Sequence, residues 1–351
     1  MKKRSLKKQL CTIMTAALLA ASLAGCGQKA ADQPAVTESQ VQTEAAITVT
    51  DQAGREVTLE GPAKRIVSSY YISTALLIAL GSEDALQGIE MKADTRELYR
   101  LAAPQLLELP AVGSGKGINV EETAALEPDL VILPLRLKDS VASFEELKIP
   151  VLVVDPETEE NFQNCVSLLA EVTGTKARGE ALLADYQQKM EKAKALTKDL
   201  ERPAVYLAGG ASYLNTCTSN MYQNDLIEAA GGRNVSSELT DGYWKEVSAE
   251  QVLQWNPDFI FAVNYAEYQP EDLLRDETLA GVTAIKEHQV FSFPSKLEAW
   301  DYPTPSSILG VLWLTNRLHP EVYSEEEYLE EAKDFYQTYF DITVTEEQLG
   351  L

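Results

Sequence analysis

Histidine is nearly missing from this 351-residue sequence: His288 and His319 are the only two. Neither has a partner at ligand spacing, and both read as surface or helix-end residues. That argues against a bare transition-metal centre and leaves tyrosine and carboxylate as the direct ligands a ferric ion could use. Cysteine is also scarce, with four in all, too few for a disulfide framework. Positive charge is short: 30 Lys and Arg stand against 54 Asp and Glu, a net charge of −24. Phosphate backbones need basic partners, so nucleic acid is not an expected ligand. There is no nucleophile elbow, no zinc motif and no histidine with an evident acid partner, so no enzyme is expected. The glycine-rich "VGSGKG" (112–117) is not a nucleotide loop, because Lys116 is followed by Gly117 and not by Ser or Thr.

What is present begins at the N-terminus. "MKKRSLKK" is basic with no acid, and "LCTIMTAALLAASLAG" is an apolar run too short to favour spanning. Together they read as a signal peptide over residues 1–25. The run ends in Leu23-Ala24-Gly25-Cys26, which resembles a bacterial lipobox, in which the cysteine is lipidated. This places the chain at the cell membrane, lipid-anchored on the extracytoplasmic side. Cys11 leaves with the signal and Cys26 carries lipid, so Cys165 and Cys217 are expected as free thiols. Residues 26–46 are polar and read as a flexible tether.

From Ile47 the pattern changes. "ITVTDQAGREVTLEG" alternates around a turn at Ala53-Gly54 and reads as a hairpin. Short continuous Val/Ile/Leu runs then alternate with helical patterns: "RIVSS", "ALQGIE", "DLVILP" and "VLVVD" as strands, "STALLIALG", "NVEETAALEP" and "SVASFEELK" as helices. A second alternation starts at "RPAVYLAGG" and ends in two helices near 304–318 and 325–337. Between the two, Leu182, Tyr186, Met190, Ala193, Leu196 and Leu200 recur at spacings of three and four. That predicts one helix over 176–201, roughly 35 Å long at 1.5 Å per residue. The expected fold class is α/β. Two Rossmann-like lobes, residues 47–175 and 202–351, are joined by a single long bridging helix, with a ligand cleft between them.

Four stretches carry a resemblance: "DQAGREVTLEGPAKRIVSS" (51–69), "GINVEETAALEPDLVIL" (117–133), "DLIEAAGGRNV" (225–235) and "WKEVSAEQVLQWNPDFIF" (244–261). In this order, behind a lipobox, they resemble substrate-binding proteins of ATP-binding-cassette importers, in the class serving iron–siderophore, haem and cobalamin uptake. The resemblance implies a monomer that hands a small-molecule ligand to a permease and its ATPase, and no cofactor of its own. In that family a glutamate on each lobe meets permease arginines; the matching residues are Glu121 and Glu250. Each sits in the first turn of its helix, where it also complements the helix dipole. A glutamate often found in the first helix of the N-terminal lobe is Ala75 here, so no role is carried over.

In open α/β sheets ligands lie beyond the carboxyl ends of strands. The loops there are aromatic: Tyr70 and Tyr71 after "RIVSS", Tyr213 after "VYLAGGAS", Tyr243 and Trp244 before "KEVSAEQ", Tyr265 after "FIFAVN". The cluster Trp300-Asp301-Tyr302 stands before the helix that Thr304 and Pro305 are expected to open. Each ring can equally pack in a core, as Trp313 is expected to do; their recurrence at one topological place favours a large, flat or amphipathic ligand. Ser114, Lys116, Arg136, Lys138 and Lys296 are the polar candidates for an anionic chelate. A small oxyanion such as molybdate is the alternative cargo, and a non-transport surface sensor the alternative role.

Overall fold

The computed structural model describes residues 45–350, so the basic start, the apolar run, Cys26 and all but the end of the tether lie outside it. Among the described residues, no helix is long and apolar enough to cross a membrane.

The first strands, β1 (Ile47–Thr50) and β2 (Glu56–Leu59), form the expected antiparallel hairpin. Its turn closes on the Asp51 carboxylate, which accepts from the N–H groups of Ala53 and Arg55 at 3.0 and 2.8 Å.

The N-terminal sheet then builds from β3 (Ile66–Ser68), β4 (Leu86–Glu90), β5 (Ala111–Ser114), β6 (Gly117–Ile118), β7 (Leu130–Pro134) and β8 (Val151–Val154). Its order is β6-β5-β4-β3-β7-β8, parallel except for the β5–β6 pair. All of β7 and β8 is buried, which is why they read as unbroken apolar runs. Its helices are α1 (Tyr71–Ala79), α2 (Glu97–Ala102), α3 (Val120–Ala125), α4 (Val141–Glu146) and α5 (Glu159–Thr173).

The long helix α6 runs from Lys176 to Thr197, and Leu182, Tyr186, Met190 and Ala193 of its apolar stripe are buried. It stops before Leu200, three residues short of the expected end of the stripe.

The second sheet contains β9 (Ala204–Ala208), β10 (Asn215–Cys217), β11 (Arg233–Asn234), β12 (Trp244–Glu246), β13 (Phe259–Ala262) and β14 (Val290–Ser292). Its order is β12-β10-β9-β13-β14, with β11 also on β9; β9, β13, β14 and β11 run parallel. Its helices are α7 (Tyr222–Ala229), α8 (Ala249–Trp255), α9 (Pro270–Arg275), α10 (Thr283–Lys286), α11 (Ser307–Leu318) and α12 (Glu325–Phe340). The helix expected from residue 304 starts at Ser307, because the Thr304 hydroxyl donates back to the Ala299 carbonyl at 3.2 Å instead of capping.

The outer face of each sheet has its own apolar cluster, but the main core is shared. It runs from α1 and α5 through α6 into α11 and α12. The Arg178 guanidinium on α6 joins the two ends, donating to the carbonyls of Ala79 (2.6 Å) and Tyr339 (2.9 Å). Cys165 and Cys217 are buried free thiols. His319 departs from the surface reading: it caps α11 but is only 3 % exposed, with Nε2 3.3 Å from the Gly231 carbonyl.

Candidate functional site

Both sheets change direction about a central strand, β3 in one and β9 in the other. The crevices at such reversals lie at the carboxyl ends of β3 and β7, and of β9 and β13. Tyr70 and Tyr71 follow β3, Arg136 and Lys138 follow β7, and Asp155 and Glu157 follow β8. From the other lobe, Trp244 comes on the edge strand β12, Tyr265 after β13, and Tyr302 on the loop between β14 and α11.

These residues meet as a chain of rings across the lobes. Centroids are 5.9 Å apart for Tyr70–Tyr71, 5.7 Å for Tyr71–Tyr302 and 5.4 Å for Tyr302–Tyr265. Two arginines stack on the N-terminal rings: Arg136 lies 5.0 Å over Tyr70, and Arg96 lies 4.3 Å over Tyr71. Tyr302 separates two chambers and lines both. The front chamber, about 490 Å³, is lined by Tyr70, Arg136, Lys138, Asp139, Asp155, Glu157, Met221, Tyr243, Trp244 and Tyr302 together with Pro134, Leu135, Val154 and Pro156. An open acidic hollow of about 920 Å³ adjoins it, sharing Asp155, Glu157 and Tyr243. The rear chamber, about 310 Å³, includes Tyr71, Arg96, Tyr265, Lys296, Glu298 and Tyr302.

Charge in the front chamber is mixed. The Arg136 Nε–H donates to the Gly115 carbonyl, which holds the guanidinium against the β5–β6 hairpin. Burial, then the Asp155 charge, pushes the Glu157 carboxyl above its ordinary range, and Arg136 pulls it back. Burial also raises Asp155. Among the described residues, no group of three or more His, Cys, Asp or Glu is placed to hold a metal ion.

The structure thus brings Tyr70, Arg136, Lys138, Tyr243, Trp244 and Tyr302 to one chamber, and Tyr71, Tyr265 and Lys296 to the other. It does not bring the rest. Trp300 is fully buried and its indole N–H donates to the Tyr336 hydroxyl at 3.0 Å, so it plugs the core. Asp301 is also fully buried and lines neither chamber; burial pushes its carboxyl up to about 7, while its own N–H, the Asn264 N–H and the Tyr265 hydroxyl pull it back. Tyr213 turns away, its hydroxyl donating to Asp276 at 2.9 Å and its ring set against Tyr268. Ser114 accepts from the Lys116 N–H at 3.1 Å within the β5–β6 turn, and neither residue lines a chamber. The Lys296 ammonium pairs with Glu347 at 3.2 Å.

Sequence reasoning missed Asp155, Glu157, Met221, Arg96 and Glu298. The strand-end rule could have found the acidic pair, since "VLVVD" was already a strand. Arg96 and Glu298 had no such signal.

Glu121 and Glu250 are exposed in the first turns of α3 and α8. Asn119 caps α3, accepting from the Glu122 N–H, and Ser248 caps α8, accepting from the Gln251 N–H, each at 3.2 Å. The backbone N–H, then the Ser248 hydroxyl, hold the Glu250 carboxyl below its ordinary range.

Two α/β lobes around an aromatic crevice define a two-lobed ligand-binding protein. The family model described as periplasmic binding protein matches residues 66–297. The chain belongs to that family, whose members serve ABC transporters. It is 26% identical over 321 residues to the molybdate-binding protein MolA of Haemophilus influenzae, covering 83% of this chain and 90% of that one. The solved structure of MolA with molybdate superposes with a TM-score of 0.75 at 24% identity, covering 85% and 99%. The chain is 25% identical over 328 residues to YvrC, an uncharacterized ABC transporter substrate-binding lipoprotein of Bacillus subtilis, covering 91% and 100%. It is 27% identical over 209 residues to a vitamin B12-binding protein of Pectobacterium atrosepticum, covering 56% and 70%.

Proposed function

We propose that this chain is the extracytoplasmic binding protein of an ABC importer, held at the cell membrane by lipid on Cys26. Its cargo is a metal chelate: an iron chelate of siderophore or haem-like type, or a corrinoid. The observation that carries this reading is the front chamber. Its volume of about 490 Å³ lies within the range of small-molecule pockets, about 300–1,000 Å³. Tyr70, Tyr243, Trp244 and Tyr302 give it aromatic faces from both lobes, while Arg136 and Lys138 supply positive charge on one wall. Flat apolar faces with a few polar tips suit a delocalised, anionic chelate. No covalent step is required: the ligand binds between the lobes, and Glu121 and Glu250 then meet arginines of the permease.

A second reading, a molybdate-type oxyanion, is favoured by the likeness to MolA. A bare oxyanion needs convergent donors. In the front chamber Arg136 already serves Gly115, and Asp155 and Glu157 face the same space.

A thermal-shift panel on the full-length protein tests both readings, with ferric siderophores, haem, cobalamin and molybdate. A ligand at a hundred times its dissociation constant adds about 2.7 kcal/mol. A shift with one chelate class supports the first reading. A shift with molybdate alone moves the assignment to the second, and silence across the panel sinks both.

A further inference from the structure

Three ionic groups line the rear chamber; Lys296 pairs with Glu347, which leaves Arg96 and Glu298, of opposite sign and one from each lobe. Arg96 presents its guanidinium over the Tyr71 ring, and its Nε–H is buried with no partner. Among the described residues its side chain makes no hydrogen bond and no ion pair. Glu298 faces the same chamber from the other lobe. Its Oε1 accepts from the Ser306 N–H at 3.3 Å, and its Oε2 is buried with no partner.

Both side chains are half-buried, and a buried polar atom left without a partner is costly; a direct ion pair would relieve both. None forms; a cavity of about 310 Å³ lies at the two groups instead. Burial pushes the Glu298 carboxyl up to about 7, while Ser306, then the Arg96 charge, pull it back. A guanidinium and a carboxylate flanking one space are complementary to a ligand carrying both charges. The guanidinium fork takes a carboxylate, and the carboxylate takes an ammonium. The walls are the rings of Tyr71, Tyr265 and Tyr302, which favour a flat side chain on that ligand.

We propose that the rear chamber is a second ligand site, taking a zwitterionic α-amino acid with an aromatic side chain, with Tyr302 as the partition from the front chamber. Its carboxylate sits on Arg96 and its ammonium on Glu298. The proposal does not depend on the nature of the front-chamber cargo.

Calorimetric titration of the full-length protein tests it, with L-phenylalanine and L-histidine as probes. Phenylpropionate lacks the ammonium and phenethylamine lacks the carboxylate. L-phenylalanine is expected to bind at least about tenfold more tightly than either analogue, since each leaves one of the two charged groups without its partner. Glu298→Gln and Arg96→Ala are each expected to weaken it by at least about tenfold. If Arg96→Ala does not fold, Arg96→Lys keeps the charge but not the fork and should give a smaller loss. The proposal is overturned if neither amino acid binds at millimolar concentration, or if the three phenyl compounds bind alike. It is also overturned if a double-mutant cycle on thermal midpoints couples Arg96 to Glu298 while no amino acid binds, for the two would then be an inter-lobe latch. Silence of the chelate and molybdate panel would leave these titrations untouched, so the two readings fail separately.

Discussion

Two tryptophans that look alike in sequence do different work. Trp244 stands half-buried in the front chamber, whereas Trp300 fills the core beneath Tyr336. Trp300→Ala is expected to cost about 3–5 kcal/mol of stability in urea unfolding, the usual range for a buried aromatic. Trp244→Ala should instead lower ligand affinity with little change in the urea midpoint. Asp301 makes a pH-dependent contribution. Its carboxyl titrates near about 3.9 in an unfolded chain, and burial moves it to about 7 in the fold. Between those values the folded state holds the extra proton, so stability falls as pH rises through this window and levels off above it. Glu298, also raised to about 7, acts in the same direction. Asp301→Asn should therefore be more stable than the parent at pH near 8, by on the order of 1–3 kcal/mol. The gap should close toward pH 4, and equal stability across that range would refute the account. Tyr70, Arg136 and Tyr302 were legible because strand ends have a rule. Trp300 was not, because its partner Tyr336 lies 36 residues further along the chain, on α12.

Among the elements, α11 is set by one close approach. A Cβ at Gly310 would stand 2.3 Å from the Trp300 carbonyl oxygen, and backbone cannot step aside as a side chain can. Gly310→Ala is expected to destabilise by about 1–3 kcal/mol, measured from the urea midpoint. A neutral outcome would mean that the loop before α11 yields freely. The strands and most helices were legible because their apolar runs match full burial or a single buried stripe. The helix α5 was not singled out, although Thr158 caps it, accepting from the Asn161 N–H at 3.1 Å, and Gly174 ends it at φ +73°. The start of α11 was misplaced because Thr304 is committed to Ala299.

For the whole molecule, periodicity and motif order reached the two-lobe α/β class, and the family match at residues 66–297 agrees. The division of one crevice into two chambers was not legible, since it depends on where Tyr302 falls between Tyr71 and Tyr265. With α6 rigidly packed in a shared core, ligand closure should be small: solution X-ray scattering with and without bound ligand should give indistinguishable radii of gyration. Delivery belongs to this scale as well. Glu121→Arg combined with Glu250→Arg should abolish uptake in cells while leaving ligand affinity intact, and normal uptake would remove the docking assignment. The shared core also bears on the order in which the chain can fold. The last long helix, α12, packs on the first, α1, so the apolar face opened at Tyr71 is closed only by residues after 325. A chain emerging from its N-terminus therefore cannot finish the shared core until nearly all of it has been released. The face of α1 that α12 covers stays open to solvent until that point.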